Sequence, residues 1–150
     1  MDLKEKALKT IKRYLMLQHG DSVLIGLSGG TDSVCLTVIL DELKDNFNLS
    51  LHAVYVNHGL RPKENMEEEA FCRRLCDNLG IKFYIEPVET KQHSESMKLN
   101  LQEAARELRY DAFDRIAYKI NAAVIAIAHN ADDQAETVLM RFIKGSGPRG

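Results

Sequence analysis

Ile25-Gly26-Leu27-Ser28-Gly29-Gly30-Thr31-Asp32-Ser33 joins an apolar strand to an apolar helix through a turn of small residues. Val23, Leu24, Ile25 and Leu27 have the partly β-branched, near-continuous apolar character of a buried strand, and Val34, Leu36, Val38, Ile39 and Leu40 open an amphipathic helix. Gly29 and Gly30 are expected to reach positive φ and to let the backbone approach a ligand closely, so that successive N–H groups and the helix N-terminus converge on an anion. Ser28, Thr31 and Ser33 add hydroxyl donors. Asp32 adds a carboxylate, which repels a phosphate unless a cation stands between them, and so points to Mg²⁺. A tight turn capped by Asp32 or Ser33 accounts for one glycine and one cap, not for all six residues of 28–33.

Two other phosphate loops are excluded by inspection. A Walker loop needs Gly-Lys-Ser/Thr after four intervening residues, and no lysine is present; Gly26, Gly29 and Gly30 do not supply the dinucleotide spacing Gly-x-Gly-x-x-Gly. What remains is Ser-Gly-Gly-x-Asp-Ser, which resembles the signature of the PP-loop ATP pyrophosphatases. That resemblance implies cleavage of ATP between the α and β phosphates, adenylation of an oxygen, and displacement of AMP by a nucleophile. NAD, GMP and asparagine synthetases and several tRNA-modifying enzymes share the loop, so it specifies the half-reaction and not the substrate.

At 150 residues, 45% hydrophobic and 28% charged, the chain has the size and composition of one globular domain with a real core. No stretch approaches the ~20 apolar residues of a membrane span, and Met1-Asp2-Leu3-Lys4-Glu5-Lys6 opens a charged helix rather than a signal peptide, so a cytoplasmic location is expected. A net charge of −2 lacks the basic footprint of a nucleic-acid binder, so any RNA contact must be local or supplied elsewhere. Three cysteines, an odd number, argue against a disulfide framework. Cys72 and Cys76 stand four apart on a helix with no second pair at ligand spacing, and they read, with Cys35, as buried thiols.

Apolar periodicity predicts helices over 3–18, 33–45, 64–79, 101–120 and 132–144, and strands over 22–27, 49–56, 81–86 and 122–128. Residues 87–98 are polar and aperiodic and are expected to form a mobile loop or lid. Alternation of helices with near-continuous apolar strands predicts an α/β fold, a doubly wound, Rossmann-like parallel sheet covered on both faces. Ligands in such sheets bind outside the strand C-termini where the strand order switches, so the loops at 28–33, 57–61 and 129–133 are expected to share one crevice. Gly145-Ser-Gly-Pro-Arg-Gly150 is loop composition with no further element to connect, and the expectation is a chain that stops short of a natural boundary.

Ala128-His129-Asn130-Ala131-Asp132-Asp133-Gln134-Ala135-Glu136-Thr137 places a histidine and three carboxylates just past a buried strand. On a helix, Asp132 and Asp133 stand four and three residues before Glu136, so their charges repel unless a metal or an ammonium lies among them. Helix capping explains one or two of the acids but not all three. On the 101–120 helix, Arg106 and Arg109 are three apart; they are ordinarily solvated or paired with Glu103 and Glu107, but at an ATP site an arginine offsets charge on the α-phosphate and leaving group.

Together the loop, Val56-Asn-His-Gly-Leu-Arg61, Gln102-Glu-Ala-Ala-Arg-Glu-Leu-Arg-Tyr110 and Ala128-His129 through Arg141 resemble the tRNA(Ile)-lysidine synthetase family in order and spacing over nearly the whole chain. The resemblance implies the adenine nucleotide alpha hydrolase-like fold and ligation of lysine to C2 of the wobble cytidine of an isoleucine tRNA, with ATP spent to AMP and pyrophosphate. By the same resemblance Ser28, Gly29, Gly30, Thr31, Asp32, Ser33, Asn57 and His58 bind ATP, Asp32 and Glu136 hold Mg²⁺, and Asp133 and Glu136 recognise lysine. Asp32, Arg109, Asp133 and Glu136 form the implied catalytic set. The implied partners are isoleucine tRNA, free lysine and ATP, with no membrane, and a homodimer is admitted. Family members continue past this point with the rest of the catalytic sheet and C-terminal tRNA-binding domains. The other readings are a different PP-loop tRNA-modifying enzyme such as a 2-thiocytidine synthetase, which the cysteine pattern disfavours, and a non-catalytic ATP-binding module, which leaves the three acids unexplained.

Overall fold

The computed structural model describes residues 2–130 and 138–144, with side chains through Ala128. The elements are α1 (Leu3–Arg13), β1 (Ser22–Gly26), α2 (Thr31–Phe47), β2 (Ser50–Asn57), α3 (Pro62–Leu79), β3 (Lys82–Pro87), α4 (Thr90–Met97), α5 (Leu101–Ile120), β4 (Val124–Asn130) and β5 (Val138–Lys144). They build one sheet in the order β3-β2-β1-β4-β5. The first four strands run parallel, and β5 lies antiparallel to β4 in the register Asn130↔Val138 to Val124↔Lys144.

Alternate residues of the central strands divide between two cores, because successive side chains on a strand point to opposite faces. Val23 and Ile25 of β1, Ala53 and Tyr55 of β2, and Val124 and Ala126 of β4 pack on one face with α1, α2 and α3 through Ile11, Leu36, Leu40, Leu43, Cys72 and Cys76. Leu24, Val54 and Ile125 pack on the other face with Phe113, Ile116 and Ala117 of α5. All nine of these strand residues are 3% exposed or less, which is why the strands read as continuous apolar runs. The expected α/β parallel sheet with helices on both faces is therefore the fold.

Capping sets several helix ends. Glu5 N–H donates to Asp2 Oδ1 at 2.8 Å, and Glu103 N–H donates to Asn100 Oδ1 at 2.8 Å while Asn100 Nδ2 returns a bond to Glu103 Oε1 at 3.0 Å, a reciprocal box that starts α5 where its periodicity begins. α1 ends at Arg13, short of the expected 18, because Tyr14 caps it and Leu15 turns into the left-handed region at φ 51°.

Two expectations fail. Residues 87–98 hold the helix α4 rather than a mobile loop or lid: its buried Thr90 opens it, Ser94 Oγ donates to Leu99 O at 2.6 Å as Leu99 N–H returns to Ser94 O at 3.0 Å, and His93 lies 3.3 Å from Glu107 of α5. The anchors are polar, so apolar periodicity carried no trace of it. The helix expected over 132–144 is replaced at 138–144 by β5; Val138-Leu139-Met140-Arg141-Phe142-Ile143-Lys144 is a short apolar run that periodicity alone assigns to either class, and pairing along the open edge of β4 decides it. Residues 131–137 lie outside the described residues.

β1 ends at a close approach. A Cβ built on Gly26 would lie 2.8 Å from Phe113 Cζ, a ring that is 4% exposed and has little room to retreat. Gly26→Ala is expected to destabilise the fold by about 1–3 kcal/mol through overpacking. Urea denaturation checks this, and Phe113→Leu in the same chain should recover part of the loss; two additive losses would show that the contact is not the cause.

Candidate functional site

The phosphate-loop candidate is organised by its own hydroxyls. Ser28 N–H donates to Ser33 Oγ at 3.1 Å, Ser33 Oγ donates to Gly30 O at 3.1 Å, and Gly30 N–H reaches Ser28 Oγ at 3.3 Å. Thr37, fully buried, holds the next turn through Ser33 O at 2.7 Å. Gly29 has the expected positive φ, +87°, but Gly30 does not: at φ −74°, ψ 161° it is extended and serves as the N-cap of α2. Neither Asp32 nor Ser33 is that cap, since both lie inside the first turn. With no side chain capping α2, its leading N–H groups are left without intrahelical acceptors and are free to meet an anion.

Above this loop a cavity of about 390 Å³ opens beyond the carboxyl ends of β1, β2 and β4. Ser28, Gly30 and Ser33 line it on the loop side, and Gly26, Leu27, Val54, Val56 and Ile127 give it an apolar floor. His58, Leu60 and Arg61 enter from the segment after β2, Asn65 and Glu68 from α3, and Ala105, Arg109 and Phe113 from α5. An adjoining depression of about 560 Å³ shares Ala105, Arg109, Phe113, Ile127 and Ala128 with it and extends along α5 past Arg106 and Tyr110. Arg106 lies over the Tyr110 ring at 5.4 Å, while Arg109 faces both spaces.

The structure thus brings together Ser28, Gly30, Ser33, His58 and Arg109 from the expected set. Asn57 stands behind the wall instead: its Oδ1 accepts from Gly59 N–H at 2.9 Å and from Asn65 Nδ2 at 3.0 Å, so it shapes the turn and aims Asn65. Asp32, half-buried, raises the thiol pKa of Cys35 behind burial as the larger cause. Asp133 and Glu136 lie outside the described residues, as does the 131–133 part of the crevice, and the described residues include no cluster of three or more acidic, histidine or cysteine side chains fit for a metal.

His58 owes its position to the unexpected helix. Its Nδ1 lies 2.7 Å from Oγ1 of fully buried Thr90 at the start of α4. Burial first, and the Arg109 charge second, hold its pKa below the ordinary 6.5, so the ring is neutral at physiological pH and leaves Arg109 as a cation of this wall.

Sequence reasoning also missed a network on the α3 side. Tyr55, 3% exposed, donates its hydroxyl to Glu68 Oε1 at 2.9 Å, with Asn65 Oδ1 at 3.4 Å, and burial followed by the Glu68 carboxylate raises its pKa. Arg61 Nη2 lies 4.0 Å from Glu68 Oε2. The signal was legible only as an isolated tyrosine in a strand and acids in a solvated helix. Two of the cysteines behave as expected: Cys72 and Cys76 are buried, and burial pushes their thiols up to about 12 and about 11, far from reactive thiolates, whereas Cys35 is only half-buried.

A doubly wound sheet with an anion-receiving loop at the end of its central strand, below an apolar-floored cavity, defines a nucleotide-binding α/β domain. The chain belongs to the PP-loop domain family, whose profile matches residues 2–150. It is 42% identical over 146 residues to tRNA(Ile)-lysidine synthase of Clostridioides difficile, covering 97% of this chain and 32% of that protein. It is 38% identical over 150 residues to tRNA(Ile)-lysidine synthase of Thermosipho africanus, covering 100% of this chain and 35% of that protein. The chain thus spans about a third of the length of the curated relatives it matches. Among solved structures it is similar to the U34-tRNA thiolase NcsA from Methanococcus maripaludis with its 4Fe–4S cluster, at a TM-score of 0.73 and 26% identity over 87% of this chain and 45% of that one. It shares the fold of the NH3-dependent NAD synthetase from Campylobacter jejuni, at a TM-score of 0.60 and 19% identity over 83% of this chain and 56% of that one. No described helix is long and apolar enough to cross a membrane.

Because the folded ring of His58 stays neutral at a pH where the unfolded chain takes up a proton, stability falls as pH drops from about 6.5 toward the lowered folded value. His52, lowered by burial and Lys82, adds to the same window. His58→Gln is expected to shrink the loss of stability between about pH 7 and about pH 5.5, read from urea midpoints. An unchanged pH slope would assign the effect elsewhere.

Proposed function

We propose that the chain is the ATP-using catalytic part of a tRNA(Ile)-lysidine synthetase. The observation that carries the reading is the cavity itself, with the uncapped α2 terminus and Ser28–Ser33 hydroxyls on one wall and Arg109 on another, in a chain about 40% identical to tRNA(Ile)-lysidine synthases. The apolar floor takes the adenine, and the loop takes the phosphates. The depression on the far side of Arg109 takes the acceptor base, so that this arginine faces both reacting partners.

The chemistry needs that arrangement. The 2-carbonyl oxygen of cytidine is a poor leaving group, so it first attacks the α-phosphorus of ATP; the bond to the β-phosphate breaks and pyrophosphate departs onto the loop's N–H groups. The amine of lysine then attacks C2, the C2–O bond breaks, AMP leaves with the oxygen, and the amine gives up a proton. Arg109 offsets the charge that grows on the α-phosphate. Asp32, with Glu136 as second donor, would hold Mg²⁺, an ion that takes one or two carboxylates beside phosphate, and the ion would supply positive charge to offset that of the pyrophosphate. Asp133 and Glu136 select lysine by charge-assisted bonds to its ammonium, and the tRNA is gripped by surfaces beyond this domain, whose net charge is −2.

A thiolase reading draws support from the similarity to NcsA, but the sequence likeness to lysidine synthases is higher and Cys72 and Cys76 are buried away from the cavity wall. The deciding assay uses the full-length enzyme: steady pyrophosphate release over many turnovers should require both isoleucine tRNA and lysine, and sulfide should not substitute for lysine. Asp133→Ala should raise the lysine KM at least about tenfold while tRNA adenylation survives, since one lost charge-assisted bond is about 1.5–3 kcal/mol and a decade is about 1.4 kcal/mol. Glu136→Ala should impair both steps. Unchanged lysine dependence in Asp133→Ala would overturn the assignment of lysine selection to these acids.

A further inference from the structure

Arg61 is the polar group of the cavity for which the loop and the relatives' names supply no role. It follows β2 and precedes Pro62, which occupies the first turn of α3. A residue before proline is kept out of the helical region, and Arg61 sits outside it at φ −136°, ψ 79°, its carbonyl accepting Asn65 N–H at 2.8 Å. The main chain is therefore fixed while the side chain, 65% exposed, lies at the cavity wall. Its nearest counter-ion is Glu68 at 4.0 Å, outside hydrogen-bond reach, so the guanidinium's donor fork is not committed to that carboxylate.

Glu68 is held more firmly. Oε1 is taken by the Tyr55 hydroxyl, and the side-chain stem packs on the phosphate loop: a Cβ on Gly29 would lie 3.6 Å from Glu68 Cβ. A carboxylate so close to a phosphate site disfavours an anion by itself. Paired loosely with an arginine, it instead holds a cation near the loop until a stronger anion arrives.

We propose that Arg61 binds the β and γ phosphates of ATP, and the pyrophosphate product, from the α3 wall, opposite the Arg109 wall, with Glu68 and Tyr55 as its positioning residues. This rests on the reading of the cavity as an ATP site and adds to it a division of labour: Arg109 serves the α-phosphate, Arg61 the leaving group. A guanidinium suits the task because its planar fork meets two phosphate oxygens at once, which a lysine does not.

Calorimetric titration of the chain with ATP, AMP and pyrophosphate at fixed Mg²⁺ tests it. Wild type should bind ATP, and failure to do so would overturn the nucleotide site itself. Given that binding, Arg61→Ala should weaken ATP and pyrophosphate at least about tenfold and leave AMP within about twofold, with Arg61→Lys recovering part of the loss. Equal losses for ATP and AMP, or no loss, would overturn the proposal while leaving the ATP site standing. Glu68→Gln keeps an acceptor for Tyr55 but removes the charge, and should weaken ATP by about threefold without affecting AMP. Tighter or unchanged ATP binding would mean that the carboxylate only repels phosphate, and would overturn its positioning role.

Discussion

Everything at the site depends on β1 being paired on both edges by parallel strands that are reached by opposite routes. The chain leaves β1 through α2 on one face to β2, and arrives at β4 from α5 on the other, so the strand order switches at Val23↔Val124 through Ile25↔Ala126. Helices depart to both sides above that junction and leave a crevice that neither fills. Gly26 completes the constraint from below: the absence of a side chain there lets Phe113 close over the end of β1 and form part of the cavity wall.

How far the sequence discloses this differs by the kind of interaction. Strands with both faces buried and helices with an apolar stripe announce themselves, which is why residues 101–120 were read to the residue as α5 and the PP-loop could be placed between β1 and α2. Elements held by polar contacts with distant partners do not. α4 is fixed by Thr90, Ser94 and His93, none of which contributes to an apolar period; Thr90 meets His58 after β2, His93 meets Glu107 of α5, and Ser94 closes the end of α4 on Leu99. β5 is a strand because β4 offers an unpaired edge, a fact about the sheet and not about residues 138–144. Asn57 shows the same at the level of a side chain: nothing in the sequence discloses that its Oδ1 accepts from Gly59 N–H in the turn and from Asn65 Nδ2 of α3.

The polar groups around the cavity are arranged so that few are left without a partner. Asn57 holds Asn65, Asn65 and Glu68 both lie within reach of the buried Tyr55 hydroxyl, and Glu68 faces Arg61. A network of this kind fixes geometry at its buried members, since leaving Tyr55 or Asn65 without a partner would cost about 1–3 kcal/mol. It runs along α3, the same helix whose Cys72 approaches the position of a Gly29 side chain at 3.5 Å, so the phosphate loop and its α3 wall are supported as one unit.

Electrostatics then distinguishes the two sides of the cavity. A chain of net charge −2 has no general attraction for a polyanion, and the positive charge has to be local. On the α5 side, His58 is kept neutral by burial and by Arg109, so among the described residues lining this cavity Arg109 carries the positive charge there. On the α3 side, the arginine is tempered by a carboxylate at 4.0 Å. On the proposed ATP reading, the triphosphate would meet, among the described residues, a cation with no carboxylate partner at the α-phosphate and a partly compensated one at the leaving group. Uniformly strong binding on both sides would hold the product as tightly as the substrate, and binding that does not grow in the transition state adds nothing to the rate of the chemical step.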